Sequence, residues 1–148
     1  MKTLYKFPLL DPETTEPFKA VDLNDGTGWS VTSYTLRGGL QEGVEVVEID
    51  NGNLRFAVLP TRGMSIWKGQ CGDIALGWDS PVKDPVNPGY INLQERGGLG
   101  WLKGFNEWIV RCGLNSMGAP CTDTVLDYSG NAFDVSLSLH GKIANIPA

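Results

Sequence analysis

The chain has few residues that hold metals or build a disulfide framework. It contains a single histidine, His140, and three cysteines with no pair in a Cys-x-x-Cys spacing. Three thiols cannot all pair with one another, and this spacing is not that of a zinc site. We therefore expect no bound metal. We also expect reduced thiols that pack as small apolar groups at Cys71, Cys112 and Cys121.

Long apolar runs and an excess of basic residues are missing as well. No run approaches the ~20 residues of a membrane-spanning helix. Pro8 and Asp11 interrupt the apolar stretch near the amino terminus, which makes it a poor signal peptide. The net charge of −5 and the pI of about 4.7 argue against a polyanionic partner. The sequence therefore predicts a cytoplasmic protein that binds neither nucleic acid nor a membrane.

Motifs for cofactors and nucleophiles are not found. Residues 97–100 (GGLG) lack the G-x-G-x-x-G order of a dinucleotide site, and no G-x-S-x-G sequence marks a serine nucleophile. Asp123, Asp127 and Asp134 are too irregularly spaced for a calcium loop. We expect no cofactor.

What the chain does contain is the pattern of a loop-rich β protein, with 19 glycines and 41% apolar residues. Residues 1–28 are expected to form an irregular arm, and residues 29–148 a β domain. Alternation predicts strands within 29–37, 44–50, 54–60, 64–70, 73–79, 124–130 and 133–141. The segment at 54–60 is largely apolar on both faces, so we expect that strand to be covered on both sides. Short strands of this kind indicate an all-β, antiparallel sandwich or barrel.

Two local features add to this pattern. Asn51-Gly52 predicts a tight hairpin, because such a turn requires positive φ angles. The spacing of Trp101, Leu102, Phe105, Trp108 and Ile109 predicts one short helix of two to three turns within 101–111. Trp101 and Trp108 would then share a helix face. Most of the tryptophans, including Trp67 and Trp78, are expected in the core, although such rings also stack on sugars.

Three stretches resemble a known family, in the same order as in that family. They are residues 59–82 (LPTRGMSIWKGQCGDIALGWDSPV), 97–120 (GGLGWLKGFNEWIVRCGLNSMGAP) and 139–148 (LHGKIANIPA). The chain resembles the galactose mutarotase-like (aldose 1-epimerase) superfamily, in its branch of aldose 1-epimerase-like proteins of unknown function. The resemblance implies an antiparallel β-sandwich with a sugar cleft. It also implies that the chain is an amino-terminal half of such a domain.

The resemblance assigns substrate-binding roles near the end of the chain. His140 matches the family's binding histidine, which orients sugar hydroxyls; the alternative is a satisfied histidine at a strand end. Lys142 stands where close relatives usually carry arginine, so it keeps the charge but loses the planar fork. Asn145 can donate to and accept from vicinal hydroxyls, or serve as a turn residue before Pro147.

Three further residues are candidates for substrate binding. Arg62 follows a predicted strand and either reaches into the cleft or pairs with a carboxylate on its rim. Arg111 ends the predicted helix, where a cation also favours the helix dipole. Glu107 lies in the GFNEW motif and is either a ligand-binding carboxylate or part of a solvated helix face. The residues alone favour the solvated face.

The leading functional hypothesis is an aldose 1-epimerase-like protein that acts on the anomeric centre of a sugar. The alternative is a non-catalytic carbohydrate-binding β-sandwich module. Ring opening needs an acid at the ring oxygen and a base at the anomeric hydroxyl, and the resemblance implies that both lie beyond residue 148. We therefore expect this chain alone to be inactive. Uncovered strand edges predict self-association or pairing with the missing half.

Overall fold

The structure, a computed structural model, describes residues 22–24 and 26–148. In chain order its strands are β1 (Asp22–Asn24), β2 (Ser30–Thr35), β3 (Glu45–Asp50), β4 (Leu54–Leu59), β5 (Ser65–Cys71), β6 (Ile74–Leu76), β7 (Cys121–Leu126) and β8 (Ala132–Leu137). The α-helix found in this part of the chain is a single turn, α1 (Glu95–Gly98), and the 3-10 helices are Gly39–Gln41, Pro60–Arg62, Pro88–Tyr90, Gly100–Lys103 and Ile143–Asn145.

All pairings between these strands are antiparallel. Strands β1 to β6 form one sheet in sequential order, and β7 and β8 form a separate hairpin. The antiparallel, all-β fold class predicted from the alternation is therefore confirmed. Over the described residues no helix has the length and apolar character needed to cross a membrane.

The predicted hairpin at Asn51-Gly52 is confirmed. β3 and β4 pair from Val47 with Val58 to Asp50 with Arg55. Gly52 carries the positive φ angle, 86°, and the Asn51 side chain accepts from the backbone N–H of Leu54 at 2.8 Å. Glycine is needed here because its α-carbon lies against the backbone oxygen of Gly28, where a Cβ would be 2.8 Å away.

The hydrophobic core centres on β3 and β4 of the large sheet. Val44, Val46, Ala57 and Leu59 are buried together, and Tyr34, Leu36 and Trp67 pack against them. β4 lies between β3 and β5, and its residues Ala57 to Leu59 are buried. The expectation that this strand is covered on both faces therefore holds for its second half.

Three sequence expectations need correction. β1 lies inside the range 1–28 that was expected to be irregular, because Asp22–Asn24 pair with Ser30–Thr32 of β2; residues 1–21 and 25 lie outside the described residues. The helix predicted within 101–111 is reduced to the 3-10 turn at Gly100–Lys103. Of the three cysteines, which are all free, Cys112 and Cys121 are exposed rather than packed.

Pairing with a distant strand explains why the predicted helix does not form over its full length. Beyond the 3-10 turn the backbone leaves helical geometry and pairs with β5, since Ile66 and Ile109 exchange both backbone hydrogen bonds, at 2.9 and 3.0 Å. Trp101 is buried at 3% exposure, whereas Trp108 is 39% exposed. The two rings therefore do not share one face, and the apolar spacing reflects two different environments.

Candidate functional site

Arg62 enters the interior through a sharp turn after β4. The 3-10 turn Pro60–Arg62 ends at Gly63, which has left-handed φ and ψ angles of 62° and 31°. A side chain at Gly63 would overlap the backbone of Ile143. The carboxyl-terminal 3-10 turn therefore packs directly on the turn that carries Arg62.

The Arg62 side chain forms a buried ion pair with Glu107. Its Nε donates to Oε1 of Glu107 at 2.6 Å, and both side chains are 0% exposed. The two residues are 45 positions apart in the chain. The pairing of residues 108 and 109 with β5 brings Glu107 to this place. A charge buried to this extent needs such a partner.

The Arg62 guanidinium also forms hydrogen bonds with two further segments of the chain. Its Nη1 donates to Oδ1 of Asn145 at 2.9 Å and to the backbone oxygen of Val86 at 3.1 Å. Arg62 therefore joins four segments: the end of β4, the segment around Val86, the loop around residue 107 and the 3-10 turn at 143–145. Three of the six candidate residues meet here: Arg62, Glu107 and Asn145.

The placement of Glu107 corrects the sequence interpretation. The residues alone favoured a solvated helix face, but Glu107 lies outside any helix and is fully buried. Its second oxygen, Oε2, accepts from the backbone N–H of Asn106 at 3.1 Å. The carboxylate is thus occupied by one cation and one amide, which favours a positioning role over direct proton transfer.

His140 follows β8 by three residues and is held in a left-handed conformation with φ of 54°. Its backbone N–H donates to Gly118, and its backbone oxygen accepts from Gly113 at 2.8 Å. The imidazole meets Trp101 edge-on, with ring centroids 5.0 Å apart. Its Nδ1 is buried and has no hydrogen-bond partner within residues 22–24 and 26–148.

Lys142 and Arg111 lie apart from the buried cluster, and both are exposed. Lys142 precedes the 3-10 turn Ile143–Asn145. The helix-end interpretation of Arg111 is wrong, because no helix is present at that position.

Glu45 is a partly buried carboxyl linked to the turn that carries Arg62. The hydroxyl of Thr61, the residue next to Arg62, accepts from the Glu45 backbone N–H at 2.9 Å and donates to its Oε2 at 3.4 Å. Burial raises the pKa of Glu45, while the Thr61 hydrogen bond opposes that rise.

Asn106 and Trp78 were not among the residues predicted to bind substrate, yet both donate a hydrogen bond to Glu107. The indole Nε1 of Trp78 donates to the backbone oxygen of Glu107 at 3.0 Å. Asn106 is 4% exposed. The presence of Asn106 in GFNEW was the available sequence signal, but the local sequence does not indicate that the residue is buried.

Comparison with known proteins agrees with this architecture. The sequence profile of the family described as "Domain of unknown function (DUF4432)" matches residues 41–148. The chain belongs to this family. No curated protein matches the chain.

A solved structure supplies the second comparison. It is described as "a putative aldose 1-epimerase from Klebsiella pneumoniae subsp. pneumoniae", and this chain is 42% identical to it with a TM-score of 0.69. The match confirms the aldose 1-epimerase-like β-sandwich fold that the resemblance implied. It covers 81% of this chain and 29% of that one. The matched part therefore spans under a third of that relative's length, which agrees with the expectation that this chain is part of a longer domain.

Proposed function

We propose that this protein binds a sugar and, within a longer aldose 1-epimerase-like protein, contributes to reaction at the anomeric centre. The main support is the 42% identity to a structure described as a putative aldose 1-epimerase. The chain supplies substrate-binding and positioning groups, with His140, Lys142, Asn145 and Arg111 as candidates for contact. Arg62 and Glu107 hold the surrounding segments in place.

The acid and base of the proposed reaction lie outside this chain. Anomer interconversion needs a proton donor at the ring oxygen and an acceptor at the anomeric hydroxyl. Glu107 is fully buried and bound by Arg62 and the Asn106 amide, so it cannot approach a sugar hydroxyl without breaking that pair. We therefore expect residues 1–148 alone to leave the anomer exchange rate unchanged.

The alternative function is carbohydrate binding without turnover. Two-dimensional exchange NMR on aldoses separates the two functions, because it measures the interconversion rate of α and β anomers directly. A longer protein containing this segment should accelerate exchange, and residues 1–148 should not. Saturable binding by the longer protein with exchange at the buffer rate would support the binding module instead.

We also propose that the β7–β8 hairpin is covered by the remainder of the longer protein. Two of its large apolar side chains are exposed to solvent, Leu126 at 70% and Phe133 at 49%. Surface of this kind promotes association. Residues 1–148 should therefore self-associate with rising concentration in light scattering, and Phe133→Ser should reduce that association. A monomer at all concentrations would contradict this proposal.

A cytoplasmic location is part of the same proposal. It is supported by the three free thiols at Cys71, Cys112 and Cys121, which suit a reducing compartment. Fluorescence microscopy of the tagged longer protein tests it, and export of the tag would contradict it.

A further inference from the structure

A depression of about 200 Å³ is lined in part by Asn106, the neighbour of Glu107 in the chain. Trp67, Trp78, Lys68 and Asn106 are among the residues that line it. None of these residues was assigned to substrate binding from the sequence, although the tryptophans were noted as rings that can also stack on sugars. The depression is formed entirely by residues of this chain.

The amide of Asn106 is the feature that indicates a ligand. The residue is 4% exposed, and neither Oδ1 nor Nδ2 has a hydrogen-bond partner in the part of the chain that the structure describes. Buried amides are nearly always hydrogen-bonded, because an unpaired polar group in the interior is costly. An amide offers one acceptor and two donor positions, which suits a pair of neighbouring hydroxyls.

A β-bulge orients the aromatic side of the depression. Ala57 pairs with Lys68 and Val58 with Ile66, so Trp67 is the extra residue of β5. A bulge of this kind changes the direction of a side chain. As a result Trp67 and Lys68 both line the depression although they are consecutive, and the Lys68 Nζ lies 3.9 Å from the Trp67 ring centroid.

The depression is held in shape by Glu107. The Trp78 indole donates to the Glu107 backbone oxygen at 3.0 Å, and the Asn106 N–H donates to its carboxylate at 3.1 Å. Because Arg62 fixes that carboxylate, the aromatic wall and the amide share one rigid support. Arrangements fixed in advance lower the entropic cost of binding.

The charged groups that line the depression are engaged by other groups of the chain, which favours an uncharged ligand. Asp79 and Lys83 pair with each other, and the Lys68 ammonium lies over the Trp67 ring. The lining also includes Asn106 and two tryptophans, residue types that suit a ring with an apolar face and several hydroxyls.

We propose that this depression is a sugar subsite, in which an indole stacks on the pyranose face and the Asn106 amide, which is buried in the free chain, turns outward to bind vicinal hydroxyls. The ligand class rests on the proposed function, but the subsite itself needs no acid or base. Methyl glycosides are suitable probes because their anomeric carbon is blocked. Their binding is therefore independent of anomer exchange.

The test is a titration of residues 1–148 with methyl β-D-galactopyranoside and methyl α-D-glucopyranoside, followed by tryptophan fluorescence. We expect saturable binding of at least one glycoside and at least tenfold weaker binding by Asn106→Leu. The melting temperature of that variant should be unchanged or higher, since leucine has a similar volume and removes an unpaired polar group. Trp78→Phe, at a position 46% exposed, should also weaken binding.

Trp108→Phe is the matched control, since Trp108 is similarly exposed at 39% and does not line the depression. It should bind like the wild type. Absence of a saturable change with both glycosides, or equal affinity in Asn106→Leu and the wild type, overturns the subsite. Glycoside binding that depends on Asn106, in a longer protein that does not accelerate anomer exchange, would uphold the subsite and refute the catalytic proposal.

Discussion

Replacing Glu107 with glutamine should destabilise the fold strongly. The carboxylate accepts from the Arg62 Nε at 2.6 Å and from the Asn106 N–H at 3.1 Å, and both charged side chains are 0% exposed. In Glu107→Gln one of those donors faces an NH₂ group, and the Arg62 cation loses its counter-charge. Breaking a buried pair in this way typically costs about 3–5 kcal/mol.

A double variant separates loss of the charge pair from loss of packing. In Arg62→Met/Glu107→Leu neither charge remains, so much of the cost should be recovered. Recovery is incomplete because Asn145 and the Val86 oxygen lose their donor and the Asn106 N–H loses its acceptor. Each such buried group costs about 1–3 kcal/mol when left unpaired. The double variant should therefore remain less stable than the wild type.

Urea unfolding followed by tryptophan fluorescence measures these differences. The control is Glu42→Gln, which breaks the Arg37–Glu42 pair where the side chains are 75% and 42% exposed. Exposed pairs contribute little, so the control should have nearly the wild-type midpoint. A Glu107→Gln midpoint equal to that of the control would refute the reasoning, as would a double variant as stable as the wild type.

Three further predictions concern other parts of the fold. Burial, followed by the neighbouring Glu48 carboxylate, raises the pKa of Tyr34 from 10.0 to about 12. The neutral Tyr34 hydroxyl therefore stabilises the fold fully below pH 10, and this contribution is lost as the pH rises towards 12. An absorbance titration of Tyr34→Phe should lack the tyrosine that ionises last in the wild type. Burial raises the Glu45 pKa above 4.5, so Glu45 favours the folded state below that value and opposes it above the folded pKa. Glu45→Gln should raise the urea midpoint at neutral pH, and the gain should shrink on acidification; a gain that grows instead would contradict the sign. Gly104→Ala would place a methyl against the Ile91 Cδ1 and 2.8 Å from the Arg62 Nη1. This crowding should cost about 1–3 kcal/mol in urea unfolding, and an unchanged midpoint would mean that both side chains are free to move.

The strands were predictable because each depends on neighbours in sequence. Alternation located β2 to β5 within one or two residues of their ends, and Gly52 marked the turn between β3 and β4. A period of two exposes and buries alternate side chains whatever the rest of the fold does. β1 was missed because a three-residue strand is too short to display that period.

The site was less predictable because long-range pairing forms it. Arg62 and Glu107 are 45 residues apart, and a carboxylate in a polar sequence gives no local sign of complete burial. The helical spacing around Trp101 was misleading for the same reason. Pairing of Ile109 with Ile66 replaces intrahelical hydrogen bonds, and Gly104 allows the guanidinium of Arg62 to approach the backbone.

The central claim is that the structure supported by Arg62 and Glu107 presents Asn106 to a sugar. Nitrogen-15 NMR of the side-chain amides tests it most directly, with Asn106 assigned by comparison with Asn106→Leu. During titration with methyl glycosides, the Asn106 NH₂ signals should shift saturably. The dissociation constant fitted to these shifts should equal the one fitted to the change in tryptophan fluorescence. Asn106 signals that stay fixed while the fluorescence saturates would contradict the account.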